Sequence, residues 1–165
     1  DEFAHVYREY FTMVYNAIYT KIENTDVAED LCQEVFIILY NKFEEVQNPR
    51  TWLYGTVRNV VMKYFRDKKS HVDIDEIFYD VSLTFVNGFK DARIIITEAI
   101  DEIIENDEDK MLLELIAYNN YTYSHVAKVL GTTRKKVHYR YGKLVKQIIE
   151  YLKSKGIKDL EELLV

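Results

Sequence analysis

One proline, one cysteine, one tryptophan and five glycines in 165 residues leave this chain few places to break. Breakers this scarce exclude a turn-dense sandwich or barrel and favour long helices. The lone Cys32 excludes an internal disulfide and fits a reducing compartment. No apolar run reaches the roughly 18 residues of a membrane span, and the acidic opening of the sequence does not resemble a signal peptide. What is abundant is apolar: 48% of residues are hydrophobic, which excludes global disorder and leaves room for one domain or two small ones. A cytoplasmic protein without membrane insertion is the expectation.

The net charge of -6 hides an alternation along the chain. Residues 1–48 carry three basic and ten acidic side chains, and residues 49–69 carry six and one. Residues 70–109 reverse to two and twelve, residues 110–158 to eleven and two, and residues 159–165 carry three acids. A uniformly acidic surface repels nucleic acid, whereas local basic blocks still bind phosphate. Two such blocks separated by an acidic one predict two nucleic-acid-facing modules with a linker between them.

Periodicity fills in the elements. Phe3, Val6, Tyr7, Tyr10, Phe11, Val14, Ala17 and Ile18 form one helical stripe. Asp26 with Glu29 reads as a capping box opening a second helix to about Phe43, with Ala28, Leu31, Val35, Ile38 and Leu39 inward. Asp30, Gln33, Glu34, Ile37 and Asn41 fall on its opposite face. Asn48-Pro49 is an N-cap followed by proline at the first helical position. The helix it starts should run to about Lys68, with Leu53, Val57, Val60 and Tyr64 inward and Arg58, Asn59, Met62, Arg66 and Lys69 outward. Residues 70–93 lose the helical period, are acidic, contain Asn87-Gly88, and read as a linker with at most one short helical piece. Helices are expected again over residues 94–104 and 109–118. Gly156 should stop the last long helix, leaving an acidic amphipathic tail over residues 156–165.

The most telling stretch is residues 122–152. Val126, Ala127, Val129 and Leu130 make a short apolar helix, with Thr122 as its cap and Gly131 as its stop. Thr133 then caps a long helix bearing Arg134, Lys135, Lys136, His138, Arg140, Lys143 and Lys146. Val137, Tyr141, Leu144, Ile148 and Tyr151 turn inward, while Lys135, Tyr139, Gly142, Lys143 and Lys146 turn outward. A small residue at Ala127 lets the second helix cross closely, and the first turns of such a helix enter a major groove. Arg134, Lys135, Lys136, His138 and Tyr139 are therefore the candidate base readers. Lys143 and Lys146, further on, are better placed for phosphates. Thr133 and Arg140 complete the set of candidate duplex contacts. Gly142 either allows a close approach or is simply tolerated.

The earlier basic helix mixes aromatics with its charges. Exposed aromatic rings beside Arg and Lys suit unstacked single-stranded bases, at about 1–3 kcal/mol per stacked base. Tyr64 and Phe65 read as core, whereas Trp52 and Tyr54 stand evenly between core and surface. Metal chemistry finds no support: Asp73, Asp75, Glu76 and Asp80 lack a credible histidine partner, and Asp107, Glu108 and Asp109 are a solvated helix start. His71, His125 and His138 make no ligand pattern, and no glycine-rich phosphate loop is present. No cofactor, metal or catalytic residue is expected.

Two runs carry a family resemblance. DVAEDLCQEVFIILYNKFEEVQNPRTWLYGTVRNVVMKYFRDKK resembles the second conserved region of bacterial RNA polymerase sigma factors. TYSHVAKVLGTTRKKVHYRYGKLVKQI resembles their fourth region. Having only these two regions is similar to the extracytoplasmic-function class. The resemblance implies an all-α protein of two small helical domains joined by a flexible acidic linker. Residues 1–69 would be the region-two domain, 70–93 the linker, 94–155 the helix-turn-helix domain and 156–165 the tail.

It further implies that the chain binds core RNA polymerase and directs it to promoter DNA, with an anti-sigma factor as a further partner. Asp30, Gln33, Glu34 and Ile37, around the family's D-L-x-Q-E pattern, would meet the clamp helices of the polymerase largest subunit. Asn48, Arg50, Trp52, Tyr54, Arg58, Asn59, Met62, Lys63, Arg66 and Lys69 would melt and read the minus-ten element. The cationic helix, from Thr133 to Lys146, would read the minus-thirty-five element. The chain departs from the family at Asn106-Asp107-Glu108-Asp109-Lys110, where an L-P-x-x-x-R-like segment is usual. It departs also at His125, Thr132 and the Arg134-Lys135 pair, which bears on promoter sequence more than on fold. The competing expectation is a helix-turn-helix regulator that does not engage polymerase.

Overall fold

A computed structural model describes residues 1–68 and 74–165, with the side chains of Ile74 and Asp75 excepted. Among these residues every regular element is helical. The α-helices are α1 (Glu2–Ile22), α2 (Thr25–Lys42), α3 (Pro49–Asp67), α4 (Ile74–Val86), α5 (Lys90–Ile103), α6 (Asp107–Leu113), α7 (Tyr123–Leu130) and α8 (Arg134–Ser154). Helix α6 continues into a wide π-type turn, Glu114–Tyr118, and single 3-10 turns lie at Phe43–Glu45 and Leu160–Leu164.

Side-chain caps set most of the boundaries. Asn48 Oδ1 accepts from the Arg50 and Thr51 amides, 3.0 and 3.4 Å away, with Pro49 where no amide is needed. Thr122, Thr133 and Asn106 cap α7, α8 and α6 in the same way. Gly131 ends α7 in the left-handed region, and Gly156 turns the chain after α8 with a φ of 95°. The start of α2 differs from the capping box expected at Asp26: Asn24 is the cap, accepting from the Val27 amide at 3.1 Å. An Asx side chain two residues upstream satisfies the same orphan amides, so Asp26 lies inside the first turn.

The larger correction concerns the linker. In their described part, residues 70–93 are not a flexible tether. They form α4 and the head of α5, and α4 is enclosed by α1, α3 and α8. Ile77, Val81, Leu83, Phe85 and Val86 are buried, and one hydrophobic core runs without interruption from α1 to α8. Each such side chain contributes about 1.5–3 kcal/mol when removed from water. Of the described side chains of α4 only Glu76 is exposed, so the helix lacks the polar stripe by which helices are read in sequence. The polar residues of α4 are accommodated internally: Ser82 Oγ donates to the Phe78 carbonyl at 2.6 Å, and Thr84 Oγ1 to the Asp80 carbonyl at 3.0 Å.

Glycines in the interior sort by the space beside them. A Cβ at Gly142 would lie 3.8 Å from the Glu76 carboxyl carbon, an ordinary contact. Gly142 is therefore tolerated rather than required, and Gly142→Ala should stabilise the chain by about 0.5–1 kcal/mol through helix propensity. A Cβ at Gly88 would come within 3.0 Å of the Met13 side chain and 3.1 Å of the Phe85 carbonyl oxygen, so Gly88→Ala should destabilise. Urea midpoints of the two variants, moving in opposite directions, check both statements.

Candidate nucleic-acid and polymerase interfaces

Helix α2 presents the face expected of it. Asp30, Gln33, Ile37 and Asn41 are exposed and Glu34 is half-buried, while Ala28, Val35 and Leu39 are buried. Ile37 is 60% exposed and Tyr40, one turn on, is 65% exposed. With Phe3, Tyr7, Gln33 and Phe36 they line a shallow open groove between α1 and α2. Tyr40 and the α1 aromatics were missed in the sequence because Phe3 and Tyr7 lie on the stripe that reads as core. The signal for Tyr40 was present: it is three residues beyond Ile37, on the same exposed face.

Helix α3 divides its candidate residues between two faces. Asn59, Lys63 and Arg66 are exposed and fall at helical spacing on one stripe, with Met62 half-buried beside it. Lys69 lies outside the described residues. Asn48, Arg50, Tyr54 and Arg58 face inward, toward α4, α5 and the last turn. Tyr54 is buried and its hydroxyl donates to Asp159 Oδ1 at 2.8 Å. Arg58, expected on the outer face, instead lies between aromatic rings, 4.7 Å above Tyr54 and 4.2 Å from Phe78. Its Nε is buried without a hydrogen-bond partner among the described residues. Arg50 sits over Phe89 and pairs with Asp91 at 3.1 Å. Asn48 is committed as the cap of α3, and Trp52 packs half-buried against the core. Tyr64 and Phe65, read as core, are both half-buried, and Phe65 packs on the core cluster.

Helix α8 divides similarly. Lys135, Lys136, Tyr139, Lys143 and Lys146 are exposed, and Lys143 reaches over the Tyr139 ring at 5.4 Å. Thr133 is held as the cap, accepting from the Lys136 amide. Arg140 pairs with Glu108 at 2.7 Å and Asp109 at 2.6 Å, which raises its already high pKa. The solvated acids expected there are thus partners of α8. Arg134 pairs with Glu23, which stands at the end of α1 in the left-handed region, with a φ of 59°. Burial pushes the Glu23 carboxyl up, but the Ser124 amide, 2.8 Å away, and Arg134 outweigh it and hold its pKa low. His138 stacks on Tyr123 with ring centroids 4.9 Å apart. Burial, then the charges of Lys21 and Arg134, lower its pKa.

Behind Arg134 and His138 lies a buried polar cluster that no sequence pattern announced. Tyr123 donates to Asp80 Oδ2 at 2.6 Å. The Lys21 ammonium lies 4.9 Å from the Tyr123 ring centre and 4.7 Å from that of Tyr141. Lys21 Nζ and Asp80 Oδ1 each lack a hydrogen-bond partner among the described residues. Burial lowers the Lys21 pKa and raises that of Asp80, the neighbouring opposite charge resisting in each case. The cluster joins α1, α4, α7 and α8.

Breaking one member should cost about 3–5 kcal/mol by stranding the other charge, whereas Lys21→Met with Asp80→Leu should recover most of that loss. The pair also has a pH signature. Asp80, raised, stabilises the fold while protonated and loses that contribution as pH rises through its folded pKa. Lys21, lowered, restores stability as pH climbs from its folded pKa toward the ordinary lysine value of about 10.4. Denaturant midpoints between pH 7 and 9 should rise more steeply in the parent than in the double variant. Single variants as stable as the parent would show the pair to be inert.

Comparisons with known proteins agree with this layout. Residues 6–71 match the family model described as sigma-70 region 2, which spans α1 to α3. The ECF RNA polymerase sigma factor SigM of Bacillus subtilis is 23% identical over 163 residues, covering 93% of this chain and 96% of that protein. RNA polymerase sigma factor YlaC of the same organism is 23% identical, covering 84% of each chain. RNA polymerase sigma factor SigZ is 27% identical, covering 79% of this chain and 77% of its own length. No described helix is long and apolar enough to cross a membrane. With a region-two match on α1–α3, followed by a capped two-helix unit with a cationic second helix, this chain is similar over most of its length to RNA polymerase sigma factors, one of them described as of the ECF type.

Proposed function

We propose that the chain is an alternative sigma factor that binds core RNA polymerase, directs it to a dedicated promoter set and helps open the duplex there. The observation that carries this reading is the coexistence of the region-two match over α1–α3 with the exposed lysine face of α8. A DNA-binding regulator indifferent to polymerase would have no use for the first. The work is binding and strand capture rather than covalent catalysis, carried out in the cytoplasm where polymerase acts.

The roles divide by element. The α2 face around Asp30, Gln33, Glu34 and Ile37, extended by the Tyr40 groove, docks on polymerase. In α8, Lys135, Lys136 and Tyr139 face the bases of the minus-thirty-five element, while Lys143 and Lys146 anchor phosphates. In α3, Asn59, Lys63 and Arg66 contact the minus-ten region from outside. Asn48, Arg50, Trp52, Tyr54 and Arg58 engage the melted strand once the two halves separate. Residues 1–69 and 94–155 then act as two modules, and an anti-sigma factor would work by covering the α2 face or the cationic helices.

Run-off transcription on genomic fragments, with purified core polymerase and this chain, tests the reading. Initiation at discrete sites is expected, together with retention of the chain on core that is lost on reversing Asp30 and Glu34 to lysine. Lys146→Ala should weaken promoter binding alike at every site and lower the slope of log affinity against log salt by about 0.9. Tyr139→Ala should change the order of promoter preference. A chain that is not retained on core, or whose retention ignores the double reversal, would overturn the assignment.

A further inference from the structure

The segment beyond α8, residues 156–165, follows the helix-turn-helix half in sequence, yet it reaches back to α3, α4 and α5. Gly156, with its φ of 95°, turns the chain back along α8, and the Ile157 amide closes that helix by donating to the Leu152 carbonyl at 3.0 Å. Asp159 then caps the turn Leu160–Leu164, accepting from the Glu161 amide at 2.9 Å. That turn lies against α3, α4 and α5, with Leu160 and Leu164 buried. The same Asp159 oxygen takes the Tyr54 hydroxyl at 2.8 Å, and Asn48 Nδ2 donates to the Leu164 carbonyl at 3.5 Å. Two of the side chains proposed to engage the melted strand are therefore held by this one segment.

We infer that residues 156–165 form a strap that clasps the two halves together and masks the single-strand-facing side of α3. The inference rests on the sigma reading for the purpose of that face, though not for the existence of the clasp. Three observations converge. The strap is held on α3, α4 and α5 by two apolar anchors and on α3 by two side-chain hydrogen bonds, more than a solvated tail would make. Its acids, Asp159, Glu161 and Glu162, place negative charge beside a basic helix and oppose an incoming phosphate backbone. The α2 groove, by contrast, remains uncovered, with Ile37 and Tyr40 open to solvent. The free chain thus offers its polymerase face while its strand-capturing face is occupied, and strap release is the step between them.

The strap meets the first turns of α3 at Asn48 and Tyr54, so backbone exchange there reports on it. Deletion of residues 156–165 should speed amide hydrogen exchange over the first turns of α3 and tighten binding of a fluorescein-labelled, mixed-sequence single-stranded 20-mer at least tenfold, without polymerase present. Should the shortened chain lose helicity, Asp159→Lys supplies the same reading, removing the Tyr54 acceptor and the turn cap from an exposed position. A two- to fivefold tightening is then expected. Exchange and affinity within twofold of the full chain, in whichever variant retains its helicity, would overturn the strap. Both readouts omit polymerase. A strap that opens in a chain unable to initiate transcription would count against the sigma reading alone, and transcription with no effect of the deletion on either readout would count against the strap alone.

Discussion

Everything else in the fold depends on the enclosure of α4. Its apolar residues point in all directions, so no single neighbour can remove them from water. Helices α1 and α3 cover one side, and α8 with the Leu160–Leu164 turn covers the rest. An uncovered α4 would expose several large side chains at once, a cost comparable to a large share of a small domain's total stability. The docking of the two halves is therefore a property of the middle of the chain. The paired charges at the surface only adjust it.

Against that apolar drive stands the buried cluster of Lys21, Asp80, Tyr123 and Tyr141. A hydrophobic seam there would be tighter, because taking an ammonium and a carboxylate out of water without a direct bond between them is unfavourable. The seam thus combines strong, non-directional adhesion around α4 with a penalised polar centre that regains hydration on separation. Such a seam is weaker than a wholly apolar one of the same area. Glu23 adds to the same balance: a non-glycine residue in the left-handed region carries strain, sustained here by its contacts to Ser124 and Arg134.

How much of this was legible beforehand follows from periodicity. The α2 face, the caps at Asn48, Thr122 and Thr133, the stop at Gly131 and the inward face of α8 are local features, each set by residues within a turn or two. They could be read from the sequence and stand in the structure. Helix α4 could not, because burial of nearly all its side chains erases the polar face that marks a helix, while its acidic start resembles a tether. The positions of Arg50, Tyr54, Arg58, Arg134, His138 and Arg140 were likewise out of reach. Their partners, Asp91, Asp159, Phe78, Glu23, Tyr123, Glu108 and Asp109, lie far along the chain. Charge on a helix face is visible in a sequence; whether another part of the chain already neutralises it is not.

The central place of α4 also has a consequence for how the chain is made. On the ribosome, α1, α2 and α3 emerge first and can pack on one another as they appear. Helix α4 follows them, but the side of it that α8 covers must wait until α8, some fifty residues further on, has itself been synthesised. For that interval the nascent chain carries a naked apolar helix, the kind of surface that chaperones bind and that drives aggregation in crowded solution. A segment that keeps the finished protein closed is, during translation, the part most in need of protection.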